Sequence, residues 1–146
     1  RARRVASEAT LDRRRADGWR RAMNNPEVTM HELRSCRGFQ AHQKAVEAAG
    51  IAVKLALSVP APLRSVGDQV IRSASSVAAN LAEGHGRAGK DRAYHFRVAF
   101  GSAKEVETHL GILLAAGAVD HVRADRALRL FDDVRAMTWR LLHPRC

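Results

Sequence analysis

From Phe39 onward, apolar residues return at alternating steps of three and four, the repeat of a helix with one buried side. Phe39, His42, Val46, Ala49, Val53 and Leu57 form the first such stripe. Pro60 and Pro62 end it, because the residue before a proline is pushed out of the helical region. A second stripe holds Leu63, Val66, Val70, Ala74, Val77 and Leu81 and stops in a glycine-rich connector. The third helix is predicted from about Asp91 to Ala116, with Phe96, Phe100, Ala103, Leu110 and Leu114 facing inward. Asp91 suits the positive end of its dipole, and Gly117 suits a C-terminal cap. The fourth stripe is Val119, Ala124, Leu128, Phe131, Val134, Thr138 and Leu141, ahead of Pro144. No segment reads as a strand. Helices of similar length with short loops predict an all-α fold, an antiparallel up-down four-helix bundle.

Composition sharpens this picture. The 146 residues are 46% hydrophobic but only 5% aromatic. The core must therefore be built from Ala, Val, Leu and Ile, a mixture that favours closely packed helices over a sheet. Residues 1–30 differ from the rest. The first 29 carry eight arginines against four acids and few large apolar side chains. Residues 1–30 are expected to be a basic, disordered segment, either an arm that wraps nucleic acid or, the favoured reading, sequence upstream of a native start at Met23 or Met30. Residues 31–146 are then the bundle domain.

The net charge is +10, and only Lys44, Lys54, Lys90 and Lys104 among the 25 bases are lysines. So large an excess points to an anionic partner, with RNA or DNA the leading candidate; the alternative is a soluble protein whose genome favours Arg and Ala codons. Cys36 and Cys146 form no CxxC pair, which argues against zinc or a redox motif and for a reducing cytoplasm. No apolar run approaches the roughly 20 residues of a membrane span.

The stretch AEGHGRAGKD, residues 82–91, poses a sharper question. Gly84, Gly86 and Gly89 match the dinucleotide fingerprint G-x-G-x-x-G. The same residues fall one short of a P-loop, with Asp91 in place of the hydroxyl residue. Both motifs need a strand before the glycines, and here a helical segment precedes them. The reading that remains is a chain reversal made by Gly84 and Gly86. It gathers Arg87, Lys90 and Arg92 at one end of the bundle, either as a phosphate contact or as a solvated turn. No glutamate has a histidine three residues later, so a di-iron bundle site is excluded. HELRS, residues 31–35, lacks the second histidine of a zinc protease. The chain reads as no enzyme, with no metal and no cofactor.

One polar residue stands out on the third helix. Glu107 projects onto the face of Phe100, Ala103, Leu110 and Leu114, where a carboxylate must find a partner. The second helix offers Gln69, Arg72, Ser76, Asn80 and Glu83 on one polar stripe. The expectation is a structural polar network of Gln69, Ser76, Asn80, Glu83, Glu105 and Glu107, with Glu107 bonded to Arg72 or Asn80. Glu105 and His109, four apart, are expected to share a surface contact. With Trp19, Trp139, Tyr94 and four phenylalanines in the whole chain, an aromatic stacking platform is not expected.

The run DQVIRSASSVAANLAEGHGRAGKDRAYHFRVAFGSAKEVETHLGIL, residues 68–113, resembles a bacterial four-helix bundle family. This is the 23S rRNA intervening sequence protein family. Gln69, Arg72, Ser76, Asn80-Leu81-Ala82-Glu83-Gly84, Gly86-Arg87, Phe96, Gly101-Ser102 and Glu105-Val106-Glu107-Thr108 carry the likeness, which extends over about residues 32–142. The resemblance implies a cytoplasmic, non-enzymatic bundle that assembles into a homo-oligomeric ring, commonly a pentamer. The chain is also similar to the accessory variability proteins of diversity-generating retroelements, basic pentamers that bind a reverse transcriptase and nucleic acid. The expected function is a non-catalytic accessory protein that binds RNA or single-stranded nucleic acid. Its expected contacts are Arg72, Arg87, Lys90, Arg92, Arg97 and Lys104, and its partner protein a reverse transcriptase or another ribonucleoprotein. The competing expectation is a protein–protein scaffold without a direct nucleic-acid role.

Overall fold

The computed structural model describes residues 39–143. The expected N-terminal segment, residues 1–30, and the start of the expected bundle domain lie outside these residues. Four helices make up the described part: α1 (Gln40–Leu57), α2 (Arg64–His85), α3 (Gly89–Ala115) and α4 (His121–Leu142). A short 3-10 turn, Ala61–Leu63, begins right after Pro60 and leads into α2. No strand occurs among the described residues. Each helix packs on two others, in the closed order α1–α2–α3–α4–α1.

Every neighbouring pair is antiparallel, because rising residue numbers on one helix meet falling numbers on the next. Ser76 meets Ser102 while Asn80 meets His95. Lys44 reaches Asp133 while Glu47 reaches Arg126. Phe100 lies against Trp139 while Glu107 reaches Arg135. Phe39 lies against His85, and the far end of α1 approaches the start of α2 through Ala56 and Gly67. The up-down four-helix bundle expected from the stripes is the one found.

Ala56, Ser73 and Ser102 apart, the buried positions keep a three-and-four alternation in all four helices. They are Ala41, Ala45, Ala48, Ala52 and Leu55 on α1, continued by Val59; Gly67, Val70, Ala74, Val77, Leu81 and Gly84 on α2; Phe96, Ala99, Ala103, Val106, Leu110 and Leu113 on α3; and Ala124, Ala127, Phe131, Val134 and Thr138 on α4. An alternation averaging 3.5 residues is the coiled-coil repeat of bundles packed knobs-into-holes. Alanine is its most frequent side chain, above all on α1.

This alternation corrects the first stripe. Val46 is 51% exposed and Leu57 72% exposed, whereas Ala41, Ala45, Ala48 and Ala52 are buried. The large residues had been placed inside on hydrophobicity alone. Close packing instead chose the alanine face, one residue round the helix. The second and fourth stripes hold at Val70, Ala74, Val77, Leu81, Phe131, Val134 and Thr138. On α3 the buried line runs through Ala99, Val106 and Leu113 rather than Phe100 and Leu114, which flank it.

The connector is also built differently. α2 continues through Gly84 to His85, and Gly86 keeps a right-handed backbone at φ −80°. The chain reverses at Gly89, whose φ is +57°, a region that glycine enters without a side-chain clash. Gly84 serves another purpose, since a Cβ there would lie 2.6 and 2.7 Å from two ring atoms of Phe96. At the far end of α3, Gly117 adopts φ +64°. The amide of Ala118 bonds Leu113 O at 2.9 Å and that of Gly117 bonds Leu114 O at 3.0 Å, the paired bonds of a Schellman cap. α4 starts where the Asp120 carboxylate accepts from the Arg123 amide at 2.8 Å.

Around Phe96 the bundle end is closed by rings. Phe39 stacks on His85 at 4.6 Å and lies 6.2 Å from Phe96. Burial, and secondarily the nearby His85, hold the His42 pKa below its ordinary 6.5. The folded chain therefore takes up this proton less readily than the unfolded one. Stability is present above about pH 6.5 and falls as the pH drops through that value.

Two outcomes follow. Gly84→Ala is expected to lose about 1–3 kcal/mol in urea unfolding, since overpacking against the buried Phe96 ring outweighs the helix-propensity gain of about 1 kcal/mol. Lowering the pH from about 7.5 to about 5.5 is expected to reduce the urea midpoint of the wild-type chain, and by visibly less in His42→Asn.

Candidate nucleic-acid interface

Polar side chains at the edge of the α2–α3 seam form a continuous chain. Ser76 Oγ and Ser102 Oγ lie 2.8 Å apart across the two helices. Asn80 Nδ2 donates to Ser76 O at 2.9 Å and to Ser76 Oγ at 3.2 Å. Because a carbonyl only accepts, this bond fixes the amide, and Asn80 Oδ1 must accept from His95 Nδ1 at 3.1 Å. His95 Nε2 then faces Asp91 Oδ1 at 3.9 Å. Asp91 in turn meets Arg87 at 3.4 Å, and Arg87 Nε donates to Glu83 at 2.9 Å. The hydrogen bond from Arg87 pushes the Glu83 carboxyl below its usual range.

Ser76, Asn80 and Glu83 thus occupy the expected network, and Ser102 and His95 join it. Gln69, Glu105 and Glu107 do not. Gln69 is exposed and enters only through its backbone carbonyl, which accepts from Ser73 Oγ at 2.7 Å. Glu105 is exposed and makes no ion pair with His109 or any other described residue. Glu107 bonds neither Arg72 nor Asn80; it pairs with Arg135 of α4. The cause is the rotation of α3: Val106, fully buried, takes the inward position, which leaves the next residue in water.

The charged residues divide into two kinds. Across α1, α4 and the adjoining edge of α3, four bases are neutralised by acids, whereas Lys54, Arg123 and Arg140 make no ion pair with another described residue. Lys44 pairs with Asp133 at 2.5 Å and Arg126 with Glu47 at 2.8 Å. Arg129 pairs with Asp125, and Arg135 with both Glu107 and Asp132. Such exposed pairs stabilise by about 0–1 kcal/mol each, but they leave little field for a ligand. Arg87 belongs to this kind too, held between Glu83 and Asp91. It is thereby the poorest of the expected phosphate contacts.

Along α3 the pattern reverses. Lys90, Arg97 and Lys104 are exposed and make no ion pair with another described residue. Their seven-residue spacing puts them on one face, about 10 Å apart along the axis. Arg92, half-buried, lies over the Phe96 ring at 5.2 Å, and Lys104 over Phe100 at 5.7 Å. Arg72 is exposed and makes no ion pair with another described residue, but stands on α2 rather than on α3.

The last turns of α4 bring rings against the stripe. Trp139, 53% exposed, lies 5.9 Å from Phe100 and stacks on His143 at 3.8 Å. Arg97, Phe100, Gly101, Trp139 and His143 line a cavity of about 390 Å3 between the helices. An adjoining cavity of about 740 Å3 continues past Arg135, Ala136 and Arg140. An aromatic platform was not expected from so few rings. The fold assembles one from residues 39 positions apart, a pairing that no local spacing in the sequence signals. Arg140 lines the adjoining cavity from a helix whose arginines share no single stripe in the sequence.

Anion binding is the chemistry this arrangement supplies. Among the described residues, no group of three or more His, Cys, Asp or Glu is placed to hold a metal ion. Nor is any described helix long and apolar enough to cross a membrane.

A family model described as 23S rRNA-intervening sequence protein matches residues 37–140 of the chain. That span contains the whole polar seam, the α3 stripe and Trp139. No curated protein matches the chain.

Removing the central amide of the seam discriminates its role from that of the exposed acids. Asn80→Ala is expected to destabilise by about 1–3 kcal/mol, because His95 and Ser76 lose their partner in a part-buried site. Glu105→Ala is expected to stay within about 0.5 kcal/mol of wild type. Equilibrium urea unfolding of both variants checks the contrast.

Proposed function

The chain belongs to the 23S rRNA-intervening sequence protein family, and from that premise we propose a non-catalytic accessory protein that binds RNA through the outer face of α3. The observation that carries this reading is the line Lys90, Arg97 and Lys104 on one helix face, free of ion pairs with described residues, while Lys44, Arg126, Arg129 and Arg135 are each held by an acid. Arg140 extends it from α4, and Arg92 borders it. Phosphates are the natural ligands of such a row: evenly placed, solvated cations attract a polyanion over a distance and release its counterions on contact. Recognition of this kind fixes the strand without reading its sequence.

The working form in this proposal is a homo-oligomeric ring, a pentamer by the family resemblance. Large apolar side chains left in water support it, above all Val46, Leu57 and Val122, the last 74% exposed. They are surfaces a neighbouring copy can cover. A ring repeats the cationic stripe once per subunit, so one long strand engages several stripes and gains from their high local concentration. A reverse transcriptase or another ribonucleoprotein is the partner such a ring would serve, in the reducing cytoplasm.

Salt dependence tests the reading. Binding of a labelled single-stranded RNA is expected to weaken linearly in log–log form, with a slope of about −0.7 per phosphate engaged. Combining Lys90→Ala, Arg97→Ala and Lys104→Ala is expected to flatten that slope by about 2. Arg126→Ala with Arg129→Ala, on the self-paired face, is expected to leave it unchanged. Wild-type protein that binds no RNA at low salt yet captures one protein partner tightly would favour a scaffold instead.

A further inference from the structure

Two features of the α3–α4 cavity go beyond phosphate attraction. The first is aromatic exposure: Phe96 and Phe131 are buried in the core, whereas Trp139 is left half in water beside Phe100 and His143. The second is the setting of that indole. Arg97 lines one of the two cavities that the indole borders and Arg140 the other, Lys104 lies over the adjacent Phe100 ring, and Asp132, the one acid lining either cavity, is already engaged by Arg135.

We propose that this cleft takes an unstacked nucleobase from single-stranded RNA, with Trp139 as the stacking surface and Arg97, Lys104 and Arg140 holding the flanking phosphates. The proposal rests on the RNA-binding reading above and names the part of the nucleic acid the cleft accepts. A flat, apolar face ringed by cations matches a nucleotide, whose base is aromatic and whose backbone is anionic. A duplex keeps its base faces stacked inside the helix, so only a single strand, a loop or a bulge can supply one. A second copy of this chain suits the cleft less well, since in a ring the contact is head-to-tail and the neighbour would have to bring unpaired acids to meet Arg97 and Arg140. His143 already lies on the indole at 3.8 Å with an interplanar angle of 28°. That is the arrangement a base would adopt there, and His143 is the residue it would displace or sandwich.

The probes are an oligouridine of about a dozen nucleotides, an abasic oligomer of equal length and charge, the deoxy counterpart, and a matched RNA duplex. All are read by anisotropy at one salt concentration. Trp139→Ala is expected to lose about tenfold or more in affinity for oligouridine and none for the abasic strand, with Trp139→Phe in between. In a Trp19→Phe background, oligouridine is expected to quench the fluorescence of Trp139 and the abasic strand to leave it unchanged. This second readout decides the matter if Trp139→Ala does not fold. Equal affinity of the wild type for oligouridine and the abasic strand, or an equal loss for both in Trp139→Ala, overturns the stacking site while phosphate binding stands. Tighter binding of the duplex overturns it as well, and tighter binding of the deoxy strand overturns its assignment to RNA. Failure of the wild type to bind any of the four overturns the RNA-binding reading itself. A change in ring size by light scattering for Trp139→Ala places the indole in a subunit contact and overturns the cleft as a base site.

Discussion

Small side chains at the buried three-and-four positions set how closely the four backbones approach, and the rest of the molecule follows from that closeness. Helices that meet through Ala and Gly pack tighter than those that meet through Leu, within interaxial distances of about 8–10 Å. α1 contributes Ala41, Ala45, Ala48 and Ala52 to this contact, and α4 contributes Ala124 and Ala127. The few large core residues must then fit around them, and Gly84 gives up its side chain so that Phe96 can enter. Packing density, rather than the hydrophobicity of single residues, decides which face of each helix is inside.

A narrow core has a consequence for the surface. Side chains too bulky for an alanine seam are turned out, among them Val46, Leu57, Ile112 and Trp139. Polar groups at the seam edge must be satisfied locally, which the chain from Ser102 through Ser76 and Asn80 to His95 achieves between α2 and α3. The bases are sorted by which helix faces them. On α4, Arg126 lies opposite Glu47 of α1 and Arg135 opposite Glu107 of α3, while Arg129 pairs with Asp125 of its own helix. The bases on the outer face of α3 meet no described acid. Function, in this account, is the part of the charge and the aromatic surface that packing leaves unspent.

Much of the fold was legible in the sequence. Periodicity located all four helices, Pro60 and Gly117 marked ends that the structure keeps, and the segment before the glycine-rich connector is helical as its period predicted. Rotation about the helix axes was less legible. On α1 and α3, alternation through large residues and alternation through small ones are offset by a single position, and only the facing helix distinguishes them. That offset misplaced Val46, Phe100 and Glu107. Reading Gly84 as a hinge failed for a related reason, since a glycine required for close approach looks the same in one dimension as one required for a turn. The interface was legible in part. Arg97, Lys90 and Lys104 were evident as charge, but their partnership with Trp139 and Arg140 exists only after α4 folds back along α3. The neutralisation of Arg87 by Glu83 and Asp91, four residues away on either side, was open to view in the sequence.

The central claim is that one face of the bundle, the α3 stripe with the end of α4, meets nucleic acid and the self-paired face does not. Photocrosslinking of a thiouridine-labelled RNA to the intact protein, with the adducts located by peptide mass spectrometry, tests it most directly. The account predicts adducts within residues 90–104 and 139–143. Adducts concentrated on Glu47, Arg126 and Arg129 instead would contradict it.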